Sequence, residues 1–70
     1  MKVKEAKVLN IIAVNYQDKK WKAVTVVYLD AKGNEQAGFG SVSFDYGIKK
    51  NDKVMIHERG EKHKVDILEI

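Results

Sequence analysis

The sequence predicts an all-β domain: a single five-stranded antiparallel small barrel, SH3-like or OB-like, with little or no helix. Three observations predict it. Val and Ile cluster in short runs separated by turn residues. No stretch repeats its apolar residues at spacings of three and four over ten residues, as an amphipathic helix would. Gly38 and Gly40 alternate with Phe39 and Val42, which removes side chains from one face of a strand and lets a small sheet coil tightly.

The strands are expected at about 6–16, 21–29, 35–44, 53–58 and 62–69. The first two join through Gln17-Asp18-Lys19-Lys20, a turn without glycine. The second and third join through Asp30-Ala31-Lys32-Gly33-Asn34, which reads as a type I turn closed by Gly33 in the left-handed region. Facing Asp30 with Asn34 pairs Val26 with Gly38, Thr25 with Phe39 and Val24 with Gly40. Residues 45–52 form the one longer connection, with room for a single 3₁₀ turn. Within it, Ile48 to Val54 resembles the start of a late strand in SH3-like and OB-like barrels, with Ile48 as an end plug. The last hairpin turns at Glu58-Arg59-Gly60-Glu61. Facing Val54 with Val65 pairs Ile56 with His63 and Lys53 with Asp66, and gathers Val54, Ile56, Val65 and Ile67 on one face.

The first two strands break the alternation of a half-buried sheet. Residues 8–16 read Val-Leu-Asn-Ile-Ile-Ala-Val-Asn-Tyr, and residues 23–29 read Ala-Val-Thr-Val-Val-Tyr-Leu. One core uses one face. The surplus calls for a cover: the termini and the 45–52 loop, a second copy, or another protein.

Seventy residues make one domain, 1–70, with no cysteine and no proline. A domain this size buries only about 60% of the surface its chain exposes when unfolded. It has no disulfide or thiolate-metal staple to compensate. The mixed, charged beginning has no apolar signal segment, and no run approaches the roughly 20 apolar residues of a membrane span. Cytoplasmic localisation without a membrane partner is the expectation.

The net charge is +3. It divides into a basic front (six Lys against two acids over residues 1–22) and an acidic middle (one Lys against three acids over 23–48). Lys19, Lys20 and Lys22 surround Trp21, a pattern suited to nucleic acid, in which cations meet phosphate and an aromatic stacks on a base. Lys49, Lys50 and Lys53 extend that patch if the barrel brings the loops together.

Ala37-Gly38-Phe39-Gly40-Ser41-Val42-Ser43-Phe44 resembles the RNP1 element of RNA-recognition and cold-shock domains. Gly38, Phe39, Gly40, Val42 and Phe44 match. Ala37 replaces the basic residue, and Ser41 replaces the second stacking aromatic. The resemblance covers eight residues and implies a stacking role for Phe39.

No catalytic constellation emerges. There is no Cys nucleophile, neither Ser41 nor Ser43 has a histidine fixed beside it by sequence, and the carboxylates are scattered. Gly38-Phe39-Gly40 is not followed by the helix a phosphate loop needs. His57 and His63, the two histidines, are expected on opposite faces of the last hairpin, which separates them as metal ligands. His63 is expected near the rim in a structural role. No catalytic residue, cofactor or metal is therefore expected. The function expected first is a non-catalytic binding module acting through protein–protein association, either with itself or by docking on a larger protein. Small barrels of this kind are common as accessory or mobile-element proteins. The alternative is a barrel that binds single-stranded nucleic acid.

Overall fold

The protein is described by a computed structural model, which places residues 3–69. Five strands form one antiparallel sheet: β1 (Val3–Tyr16), β2 (Lys19–Leu29), β3 (Glu35–Ser43), β4 (Lys53–Glu58) and β5 (Val65–Ile67). Their order is β3-β2-β1-β4-β5. Three hairpin-linked strands followed by a fourth that returns beside the first are a Greek key, and residues 44–52 are its long connection. The sheet curls until its edges meet. The Phe39 amide donates to the His63 carbonyl at 2.7 Å, and Phe39 and Lys64 form a single parallel bridge. The result is a nearly closed small barrel. No described residue is helical, and no helix is long and apolar enough to cross a membrane.

The core follows from the pleat. Ala6 and Val8 of β1, Val24 and Val26 of β2, Val42 of β3, Val54 and Ile56 of β4, and Val65 and Ile67 of β5 all point inward and are buried. Ile48 closes one end as the expected plug. At the other end, the Lys4 ammonium bonds to Glu58 at 2.9 Å and to the Leu29 carbonyl at 3.3 Å. It also lies 5.7 Å from the centre of the Tyr28 ring.

β1 contains a bulge. Val8 faces Val26 and Asn10 faces Thr25, so Leu9 is an extra residue. A bulge reverses the facing of everything beyond it. Ile11 thereby joins Ala6 and Val8 against the core, while Ile12, Val14 and Tyr16 turn outward. The bulge lies where β1 loses a neighbour, since β4 pairs with it only from Val3 to Lys7. Beyond it, β1 is paired by β2 alone, and β2 in turn by β3 as far as Trp21, in a molecule measuring 40 × 23 × 19 Å; this stretch of β1 and β2 is the arm.

The β2–β3 register is the expected one, with Val24 opposite Gly40, Thr25 opposite Phe39 and Val26 opposite Gly38. Its turn is also as expected. Gly33 has φ +82°, the Asp30 amide bonds to the Asn34 carbonyl at 2.9 Å, and Asp30 Oδ1 accepts from the amides of Lys32 and Asn34. Both strand glycines face the closing strand. A Cβ on Gly40 would lie 2.7 Å from the Val65 carbonyl oxygen, and one on Gly38 would lie 3.0 Å from side-chain carbons of Tyr28 and Val65.

The structure corrects four expectations. β5 spans Val65–Ile67 rather than 62–69, because His63 has φ 65° and a left-handed residue interrupts an extended strand. The last hairpin therefore has a six-residue loop, 59–64, instead of a tight turn. Ile56 faces Ile67, His57 faces Asp66 and Glu58 faces Val65. This register is four residues from the expected one. The offset is even, so the inward set is unchanged. Lys53 accordingly does not pair with Asp66. It lies opposite Lys7 and contacts Glu5 at 3.6 Å, while Asp66 contacts Arg59 at 3.5 Å. The first turn holds only Gln17 and Asp18, with Gln17 at φ 54°, so Lys19 and Lys20 belong to β2. In the long connection, residues 44–45 and 50–51 form two separate turns instead of a 3₁₀ turn.

Candidate nucleic-acid interface

The strand pleat divides the sequence-predicted residues. On β2, Lys20 and Lys22 share the inward face with Val24 and Val26, whereas Lys19 and Trp21 point outward with Ala23 and Thr25. The Lys20 ammonium lies 5.7 Å from the centre of the Phe44 ring, within the range of a cation–π contact. Lys22 is tied down more firmly, donating to the Tyr46 carbonyl at 2.7 Å. Lys49 and Lys50 are exposed on the same long connection as Tyr46 and Ile48. Lys53 opens β4, two strands from β2. Of the expected cations around Trp21, Lys19 alone shares its face.

Trp21 and Phe39 do share a face. Trp21 stands opposite Val14 on one side and Ser43 on the other, and Phe39 stands opposite Thr25. Four residues along β2 separate the two positions, about 13 Å at the rise of a strand. Between them the surface consists of Ala23, Thr25 and Ser41, which are small and without charge. Phe39 is 53% exposed, although the residues on either side of it turn into the core. Its ring meets the His63 ring edge-on, with centroids 6.3 Å apart.

The cations beside Phe39 come from the 59–64 loop, whose residues were expected to divide between the turn at 58–61 and a fifth strand from 62. This loop carries Arg59, Lys62, His63 and Lys64. Barrel closure places it against β3 through the Phe39–His63 backbone bond and the Phe39–Lys64 bridge. His63 is fixed by its Nδ1, which lies 2.8 Å from the Ala37 carbonyl. A carbonyl only accepts, so Nδ1 carries the proton and Nε2 is left for another partner. Arg59 contacts Asp66, and Lys64 contacts Glu61 at 3.1 Å. Both pairs are well exposed and readily exchange partners. Lys62 has no acidic partner among the described residues. A shallow groove runs beside the ring, lined by Phe39, Gly40, Ser41, Arg59, Lys64 and Asp66.

A signal for this loop was present in the sequence: four basic or imidazole side chains within six residues. Its place beside the RNP1-like strand was not, since that depends on β5 closing against β3 across the whole chain. Three or more His, Cys, Asp or Glu residues are nowhere gathered as a metal site among the described residues. Comparison with family models, with curated proteins and with solved structures finds no match.

Proposed function

We propose that this chain binds single-stranded nucleic acid along the outer face of β2 and β3, as a binding protein and not an enzyme. The observation that carries this reading is the half-exposed Phe39 ring beside the 59–64 loop, whose Arg59 and Lys64 line the groove at the ring. An aromatic face accepts any base by stacking, and adjacent cations meet the backbone phosphates. Trp21 and Lys19 extend the same face toward the β1–β2 turn. The Greek-key order supports the OB-like alternative over the SH3-like one, because an OB-fold is a five-stranded, partly open Greek-key barrel. Proteins of that architecture bind oligonucleotides on the face of strands 2 and 3 and through the loops after strands 1 and 4. This last support is analogy at the level of fold.

The test is fluorescence anisotropy with labelled single strands of about ten nucleotides, DNA and RNA, at several salt concentrations. Binding that weakens as salt rises supports the reading. No binding at low salt overturns it.

Association with protein is a second reading, favoured by the outward Ile12, Val14 and Tyr16 of the arm. Ile12 and Tyr16 are 56% and 63% exposed. Part of the apolar surplus of β1 is taken up by the bulge, and these residues are what remains.

A further inference from the structure

We propose that two copies of this chain join edge to edge through the free half of β1, making a continuous antiparallel sheet from their β1–β2 arms. This rests on the association reading and names its partner: a second copy.

The free edge follows from the pairing. On the side away from β2, β1 is bonded by β4 from Val3 to Lys7, and then by the connecting loop at Val8. Val8 accepts from the Asn51 amide at 2.8 Å and donates to the Asp52 carbonyl at 2.9 Å. From residue 9 onward the described residues provide no partner on that side. The two-residue loop Gln17-Asp18 makes Tyr16 and Lys19 the first hydrogen-bonded pair of the arm, and alternation then sends the N–H and C=O groups of Asn15, Ala13 and Ile11 outward to the free edge. The opposite edge of the sheet is better covered. β3 is met by the His63 carbonyl at Phe39 and by the Glu69 carboxylate at the Ser43 amide.

Soluble proteins protect a free edge with charge, above all lysine, or with proline. Here residues 8–16 contain neither, although a third of the chain is charged. The edge also suits itself. Two β1 strands running antiparallel about a two-fold axis at Ala13 place Ile12 against Val14 of the second copy on the outer face. On the inner face they place Ile11 against Asn15 of the second copy, with the small Ala13 side chains meeting at the axis. No charge opposes a like charge within the paired segment. An isologous joint of this kind closes at two copies and does not propagate. Seven paired residues span about 23 Å. That is a small joint, so the dimer should be weak enough to dissociate on dilution.

Light scattering across a concentration series is the first measurement. The expected result is a mass that rises with concentration from 8.0 kDa to twice that value. Ala13→Pro removes an amide that serves only the free edge, a place where strands accept proline. It should keep the β-sheet circular dichroism spectrum and remain monomeric at every concentration. Hydrogen exchange on the unmutated protein keeps the test independent of how the variant folds. The amides of Ile11, Ala13 and Asn15 should be protected at high concentration and lose that protection on dilution. A strict monomer overturns pairing between copies and leaves docking on another protein standing. A dimer in which those three amides exchange freely, or which survives in folded Ala13→Pro, overturns the edge and leaves association standing.

Discussion

Gly40→Ala is the sharpest perturbation of the closed barrel. An alanine Cβ at this position would lie 2.7 Å from the Val65 carbonyl oxygen and 3.2 Å from two side-chain carbons of Ile67. The side chain can rotate, but the carbonyl is backbone and must move. β5 is three residues long, and the bonds that flank it are few, among them the Phe39–His63 bond at 2.7 Å on one side and the Leu68–Met55 bond at 2.9 Å on the other. It therefore yields before β3 does. Overpacking of this kind costs about 1–3 kcal/mol. A domain of this length has about 4–10 kcal/mol of stability in total, so the loss is substantial but leaves a folded majority. Full detachment of β5 would cost more, because it would expose the buried Val65 and Ile67 at about 1.5–3 kcal/mol each. The assay is urea unfolding followed by Trp21 fluorescence. With a slope of about 1 kcal/mol per molar for a small domain, the midpoint should fall by about 1–3 M. Gly38→Ala is the internal comparison, since its added carbon meets side chains alone, at 3.0 Å or more, and should cost less. A Gly40→Ala protein as stable as wild type, or one less affected than Gly38→Ala, refutes the close approach of β5 to β3.

Other predictions concern the surface. The amides of Asn34 and Lys32, the Gln36 side chain and the Lys4 charge hold the Asp30 carboxyl below its ordinary 3.8, against a desolvation that would raise it. A lowered folded value means that the stabilisation is present above the unfolded value and is lost as pH falls through the folded one. Asp30→Asn should therefore flatten the acid side of a stability–pH profile measured by thermal unfolding, and an unchanged profile counts against the role of that turn. Phe39→Ala should weaken single-strand binding by about 5- to 150-fold, the cost of roughly one stacked base, with little change in melting temperature. Lys64→Ala, at the lysine that lines the groove beside Phe39, should lower the slope of log affinity against log salt by about 0.7, one phosphate contact, and Lys49→Ala should leave it unaltered.

Much of the barrel was legible because it depends on local chemistry. The Asp30–Asn34 turn fixes its register by its own geometry, with Gly33 in the left-handed region, and so the β2–β3 pairs could be read directly. The inward set of the last hairpin was legible for a similar reason, since alternation alone selects Val54, Ile56, Val65 and Ile67. Its pairing was not. A left-handed His63 is unusual for a side chain with a Cβ, and here it is held by a bond to Ala37 from a different strand. The Leu9 bulge was hidden too, because an apolar run through a bulge looks the same as a strand apolar on both faces. The candidate interface divides along the same line. Phe39 was legible from the Gly-Phe-Gly pattern. The Lys–Trp cluster is divided by the pleat, because contiguous residues on a strand face opposite ways, and the 59–64 loop became a neighbour of Phe39 only through closure of the barrel.

Binding on the outer β2–β3 face is read most directly by an amide NMR titration of the wild-type protein with a single strand of about ten nucleotides. Shifts should concentrate at Thr25, Phe39, Ser41, His63 and Lys64, with the Trp21 indole moving as well. Shifts confined to Lys20, Lys22, Lys49 and Lys50, or no shifts at low salt, would contradict it.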